Sequence, residues 1–180
     1  MNRINLRIYC ILTVILVVAL LTGCSANQDS SVEPDTDIKQ LVADYSTGQL
    51  KAINASINAS QLIVTMDEQK QYTYDLPDDE FFVSIAPYLD VTHPCAIHSL
   101  TGCQGEMVNE QMEVYITDQA GNVIRNEMMK TQDNGFIDLW LPRDSTYQVT
   151  ITHANGVARQ EIATFENDQT CITTMQLIES

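Results

Sequence analysis

The stretch Thr146 to Ala163, T-Y-Q-V-T-I-T-H-A-N-G-V-A-R-Q-E-I-A, decides the fold class. Tyr147, Val149 and Ile151 alternate with polar residues, the period-two pattern of a strand with one buried face. Asn155-Gly156 then offers two residues that tolerate positive φ, the strongest hairpin signal in the chain, and Val157 to Phe165 resumes the β pattern. The same grammar extends outward on both sides. Met112, Val114 and Ile116 alternate ahead of the turn Asp118 to Asn122, Val123 to Met129 follows, and Asp133-Asn134-Gly135 turns into Phe136 to Leu141. Cys171 to Ile178 completes the set. Six or seven strands punctuated by turns predict a mainly β protein, a small antiparallel sandwich of Ig-like or transthyretin-like form. The chain contains no internal repeat of note.

Upstream of residue 108 the pattern is mixed, and a small α+β region is expected over residues 38–107. Asp37 with Gln40 resembles a capping box, and Ile38, Leu41, Val42 and Tyr45 fall on one helical face. That helix should stop near Gly48, with a second turn through Leu50 and Ile53. The apolar stripe reads as packing. Asn54-Ala55-Ser56 and Asn58-Ala59-Ser60 match the N-glycosylation pattern and are set aside as chance matches. Gln61 to Met66 and Gln71 to Leu76 suggest a hairpin, and Phe81 to Ile85 a strand ended by Pro87.

That strand leads into His93 to Met107, H-P-C-A-I-H-S-L-T-G-C-Q-G-E-M. These fifteen residues hold Cys95, Cys103, His93, His98, Glu106 and Met107, while Pro94, Gly102 and Gly105 oppose regular structure. Thiolate, thioether and imidazole donors together favour Cu(I), with Zn(II) as the competitor. Seven residues separate the two cysteines, too many for a zinc finger or a thioredoxin-like C-x-x-C. The pair can close a disulfide, as exported proteins often do, or fold around one ion. An odd number of cysteines in the exported body, Cys95, Cys103 and Cys171, leaves one over in either case. Cys171 on pattern alone reads as a buried, inert residue. Met107 is a candidate thioether ligand, and Glu106 either orients a histidine or is simply solvated. His153 reads as a surface residue near a hairpin, and Met128, Met129 and Met175 as packing.

The run Phe81 to Met107, F-F-V-S-I-A-P-Y-L-D-V-T-H-P-C-A-I-H-S-L-T-G-C-Q-G-E-M, resembles the CueP family of periplasmic copper-binding proteins. So do Asn134 to Asp144, N-G-F-I-D-L-W-L-P-R-D, and Thr170 to Leu177, T-C-I-T-T-M-Q-L. The resemblance implies copper binding through Cys95, Cys103 and Cys171, with His98 and His93 as further ligands, and reduction of Cu(II) to Cu(I). Under it, Cys171 joins the two loop cysteines in one cluster. Two thiols closing a disulfide release two electrons, so such reduction is stoichiometric and needs an outside donor to repeat. The segment Ser25 to Ser60 lies outside the resemblance.

Residues 1–23 read as an export signal: Arg3 and Arg7 precede an apolar run, Ile8 to Leu21, too short to span a membrane comfortably. The run ends in Leu21-Thr22-Gly23-Cys24, which resembles a lipoprotein processing box and makes Cys24 the lipidation site. Cys10 would be removed with the leader. Residues 24–37 form a polar tether, and residues 108–180 the sandwich domain. The expected location is the periplasm or the outer face of a bacterial membrane.

The chain carries a net charge of −15, and loss of a leader holding two arginines and no acid takes it to −17. Such a surface argues against nucleic-acid partners. The expected partners are a copper ion, a copper-receiving exported enzyme, and a membrane through the lipid. Neither a Ser-His-Asp set nor a paired-carboxylate pattern points to a hydrolase. A thiol-disulfide oxidoreductase of the cell envelope is the rival reading, lacking its C-x-x-C; a disulfide-stapled interaction module is the third.

Overall fold

The structure is a computed structural model that describes residues 37–179. One α-helix, α1 (Ile38–Ser46), precedes eleven strands: β1 (Asn54–Ile57), β2 (Gln61–Asp67), β3 (Lys70–Asp75), β4 (Glu80–Ile85), β5 (His98–Ser99), β6 (Gln111–Asp118), β7 (Val123–Lys130), β8 (Ile137–Pro142), β9 (Thr146–His153), β10 (Gly156–Ala163) and β11 (Cys171–Ile172). They form three sheets, ordered β3-β2-β1-β5, β10-β9-β6-β7 and β11-β4-β8. The mainly β class and the alternating strands are as the sequence predicts.

The short sheet β11-β4-β8 is the central layer. Phe81, Val83 and Ile85 of β4, with Ile137, Leu139 and Leu141 of β8, pack on one face against Met112, Val114, Ile116, Val149 and Ile151. Phe82 and Trp140 point the other way, towards Val42, Tyr45, Ile57, Leu62 and Val64. Double-sided burial explains why Phe81, Phe82 and Val83 follow one another with no polar residue between them, since a strand covered on both faces has no solvent side to alternate with. The sheets therefore do not divide at residue 107. β4 pairs with β8 over six residues, from Glu80↔Pro142 to Ile85↔Ile137.

Four local expectations are corrected. The turn between β9 and β10 consists of Ala154 and Asn155, because Gly156 already pairs with His153. Gly156 serves a different need: a Cβ there would lie 2.6 Å from the carbonyl oxygen of Ile178, whose backbone bonds to Val157. No second helical turn follows Gly48, and Ile53 instead bonds to Thr65 and is exposed. The stretch Asn54 to Ile57 is strand β1, with Ala55 and Ile57 facing the core; its alternation is visible in the sequence beneath the glycosylation pattern. The final segment is also not one long strand. After Ile172 it continues only as single bridges at Gln176 and Ile178, and β11 runs parallel to β4, whereas the other strand pairs are antiparallel.

The helix follows its sequence signals closely. Asp37 accepts hydrogen bonds from the backbone N–H of Lys39 and Gln40, both at 3.1 Å, and Gly48 ends the segment at φ +73°. Among the described residues no helix is long and apolar enough to cross a membrane. The leader, Cys24 and the tether up to residue 36 lie outside the described residues.

Candidate metal centre

Residues Pro87 to Gly105 run along one end of the central layer, and three clamps fix them there. One oxygen of Glu106 accepts the backbone N–H groups of Leu89, Asp90 and Val91 at 2.7, 3.0 and 3.2 Å. Slight desolvation would raise the carboxyl pKa, but these three bonds outweigh it and hold the group below its usual value. Glu106 is thus a loop anchor, neither a partner of a histidine nor merely solvated. Thr92 donates its hydroxyl to the carbonyl of Thr173. At the far end Gly105 bonds to the carbonyl of Asn134 at 2.6 Å, and a Cβ on Gly105 would stand 2.8 Å from the Gly135 carbonyl oxygen. Two glycines in separate sequence blocks, T-G-C-Q-G and D-N-G-F, are required by one close approach of two backbones.

Between these clamps the chain presents its sulfur and imidazole groups. Cys95 and Cys171 are joined in a disulfide with Cα atoms 5.6 Å apart, and Cys103 is free. The loop-closing Cys95–Cys103 pair considered from spacing is therefore not the one formed. The reason is tertiary: the parallel pairing of β11 with β4, together with bonds from Thr170 and Cys171 to Ala96, brings Cys171 to the loop. The Cys103 sulfur lies 3.5 Å from that of Cys95 and receives the Ser99 N–H at 3.4 Å. Ala86 and Phe136 pack around the three cysteines.

The histidines divide into an outer and an inner position. His93, Cys95 and Cys103, all partly exposed, offer ligand atoms within 4.8 Å of one another. His98, Cys103 and Cys171 do the same, with His98 and Cys171 fully buried. Cys103 belongs to both sets. His98 sits on β5, its ring 4.6 Å from that of Phe136 and 6.2 Å from that of Phe82. Burial pushes its pKa down to about 4; Asp138 opposes this and His93 adds to it. The imidazole is therefore neutral at pH 7, the form that ligates metals. Among the described residues neither ring nitrogen has a hydrogen-bond partner. Buried polar atoms are nearly always satisfied, so two orphaned nitrogens beside two sulfurs fit a metal ligand. Its burial keeps His98 from making the first contact with an ion arriving from solvent.

The remaining candidates lie elsewhere. Met107 is buried in the sandwich core with Met175, which excludes it as a ligand from this loop. Met128 is exposed rather than packed, and only Met129 touches the core. His153 stands 3.5 Å from Glu110, away from the sulfurs, with its side chain largely covered. A polar network beneath the site was not legible in the sequence. Asp138 accepts from the hydroxyls of Ser84 and Ser46, each at 2.5 Å, and from Gln132 at 3.0 Å. Cys171, Ser84 and Asp138 are register partners across β11, β4 and β8, so their side chains share the face turned towards β5 and α1.

A family model described as periplasmic copper-binding protein CueP matches residues 38–176. Among solved structures, one described as the crystal structure of S.CueP is similar, with a TM-score of 0.74 and 34% sequence identity, covering 92% of this chain and 96% of that one. No curated protein matches the chain.

Proposed function

Because the chain belongs to the CueP family of periplasmic copper-binding proteins, we propose that it takes up copper at the Cys95–Cys103–Cys171 cluster and holds it as Cu(I). The observation that carries this reading is the sharing of Cys103 between an outer and an inner ligand set. His93, partly exposed, suits the first capture of Cu(II), since imidazole accepts both oxidation states. The inner set, two sulfurs and a neutral imidazole in a largely dry pocket, suits Cu(I) and disfavours hard ions. Zinc is the competing ion for such donors.

The disulfide between Cys95 and Cys171 supplies a consistent electron balance. Starting from the two thiols, closing that bond releases two protons and two electrons, which reduce two Cu(II) ions to two Cu(I). A dithiol donor would then reopen the bond, itself becoming a disulfide. Val91 and Ile97, exposed apolar residues of the ligand loop, would offer a contact to a receiving exported enzyme. The reading is tested by chelator competition on the reduced protein: tight Cu(I) binding at about one ion per chain is expected of a single thiolate-rich site. Tight Zn(II) binding without Cu(I) binding would overturn it in favour of a structural zinc centre.

Cys24 would carry the lipid that keeps the protein at the membrane. The support is the Leu21-Thr22-Gly23-Cys24 box, and dual acylation exceeds the single chain that binds only marginally. Mass spectrometry of the mature chain should find an acylated Cys24 at its N-terminus. Any other N-terminal residue would remove the anchor from the reading.

A further inference from the structure

Thr170 immediately precedes Cys171 and is 1% exposed. Its hydroxyl donates to the carbonyl of Ile57 at 2.6 Å and accepts from the backbone N–H of His98 at 3.1 Å. Ile57 and His98 are cross-strand partners of β1 and β5, so one side chain grips both members of the pair. The main chain of the same residue reaches two other elements. Its N–H donates to Ala96 at 3.1 Å, between Cys95 and His98, and its carbonyl accepts the Ser84 N–H at 2.8 Å. Four bonds from one residue thus meet the ligand loop, β1, β4 and β5.

The need for such a junction follows from β5 itself. A strand of two residues has little ladder of its own, and short isolated pairings are marginal. His98 is nevertheless buried with no hydrogen bond to its ring, so nothing polar at the side chain fixes its position. Its backbone N–H must fix it instead, and the Thr170 hydroxyl is the group that receives that N–H. The same residue is covalently attached to Cys171. Orientation of Cys171 and of His98 is therefore set by one residue that is itself no ligand.

We propose that Thr170 is a positioning residue of this metal centre, its hydroxyl holding His98 in register with Cys171 and Cys103. The inference rests on the copper-binding reading above. It concerns which residue preorganises that site, a role that ligand-supporting neighbours commonly fill. T170V keeps the shape and β propensity and deletes the hydroxyl that links the Ile57 carbonyl to the His98 N–H. T170S keeps the hydroxyl.

The test is a double-mutant cycle on the reduced full chain, read by Cu(I) chelator competition, with H98F as the second member. T170V should lower Cu(I) affinity about 10–100-fold, the range for lost supporting partners, and T170S should restore it. In the H98F background T170V should cause no further loss, because the threonine acts through His98. A merely structural threonine would lower thermal stability in both backgrounds and give no coupling in affinity. Should T170V not fold, T170A carries the same comparison. Wild-type affinity in T170V, or an equal loss in both backgrounds, would overturn the positioning role. If instead H98F binds Cu(I) like wild type, the assignment of His98 to the inner ligand set fails, and the proposal falls with it.

Discussion

Replacing Cys171 is expected to weaken Cu(I) binding by the reduced protein at least 10–100-fold, about 1.4 to 2.7 kcal/mol, a floor taken from the loss of mere supporting partners. The residue contributes one of the three sulfurs of the cluster and belongs to the inner set, and its removal leaves Cys95 and Cys103, with a histidine, to hold the ion. The stability readout depends on oxidation state. In the oxidised, metal-free protein the Cys95–Cys171 bond spans 76 residues, and losing a disulfide of that kind costs about 2–5 kcal/mol. In the reduced protein that contribution is already absent. Cys171 is fully buried, so serine there places a hydroxyl where it has no assured partner, a penalty of about 1–3 kcal/mol. Alanine avoids that penalty and is the cleaner substitution. The measurement pairs chelator competition with urea unfolding of reduced and oxidised protein. Unchanged Cu(I) affinity in C171A with reduced stability would make Cys171 a core residue and dissolve the cluster.

The second large effect is a pH dependence of stability in the metal-free protein. His98 has a folded-state pKa lowered from 6.5 to about 4, chiefly by burial. The unfolded chain therefore binds a proton that the folded chain refuses. Stability from this source is fully present above pH 6.5 and declines as pH falls from 6.5 towards 4, by about 3 kcal/mol in all at 1.36 kcal/mol per unit. The Glu106 carboxylate, its pKa held down, adds a loss of its own on acidification. Comparison with H98F isolates the histidine, since that variant keeps the carboxylates and loses the imidazole. Urea unfolding at pH 7, 5.5 and 4 should show the wild-type protein losing stability more steeply than H98F. Parallel curves would mean that the imidazole charges freely in the folded state and is not held in a dry pocket. Bound Cu(I) should flatten the wild-type curve, because a metal on the ring nitrogen competes with the proton.

The local elements were legible because their causes are local. Asp37 ahead of Ile38, Leu41, Val42 and Tyr45 carries both the cap and the apolar stripe of α1, and alternation in Met112 to Ile116 and Tyr147 to Ile151 is a one-dimensional record of which face is buried. Even the double-sided burial of β4 is written in the consecutive Phe81, Phe82 and Val83. The soft-ligand loop was equally plain, since donor chemistry belongs to residue type, and the three separated blocks pointed to one family. Pairing across the chain was not available in this way. Which sulfur meets Cys95 depends on β11 lying parallel to β4 and on bonds from Thr170 and Cys171 to Ala96, contacts between segments that are distant in sequence. The same holds for the split between His93 at the mouth and His98 within, and for Met107 turning into the sandwich core. Side-chain direction along an irregular loop has no period to read. By itself the sequence determined the β class, the helix and the donor atoms, each fixed by neighbours a few residues away; the tertiary structure alone decided which donors converge, because convergence is set by packing and strand register between remote segments.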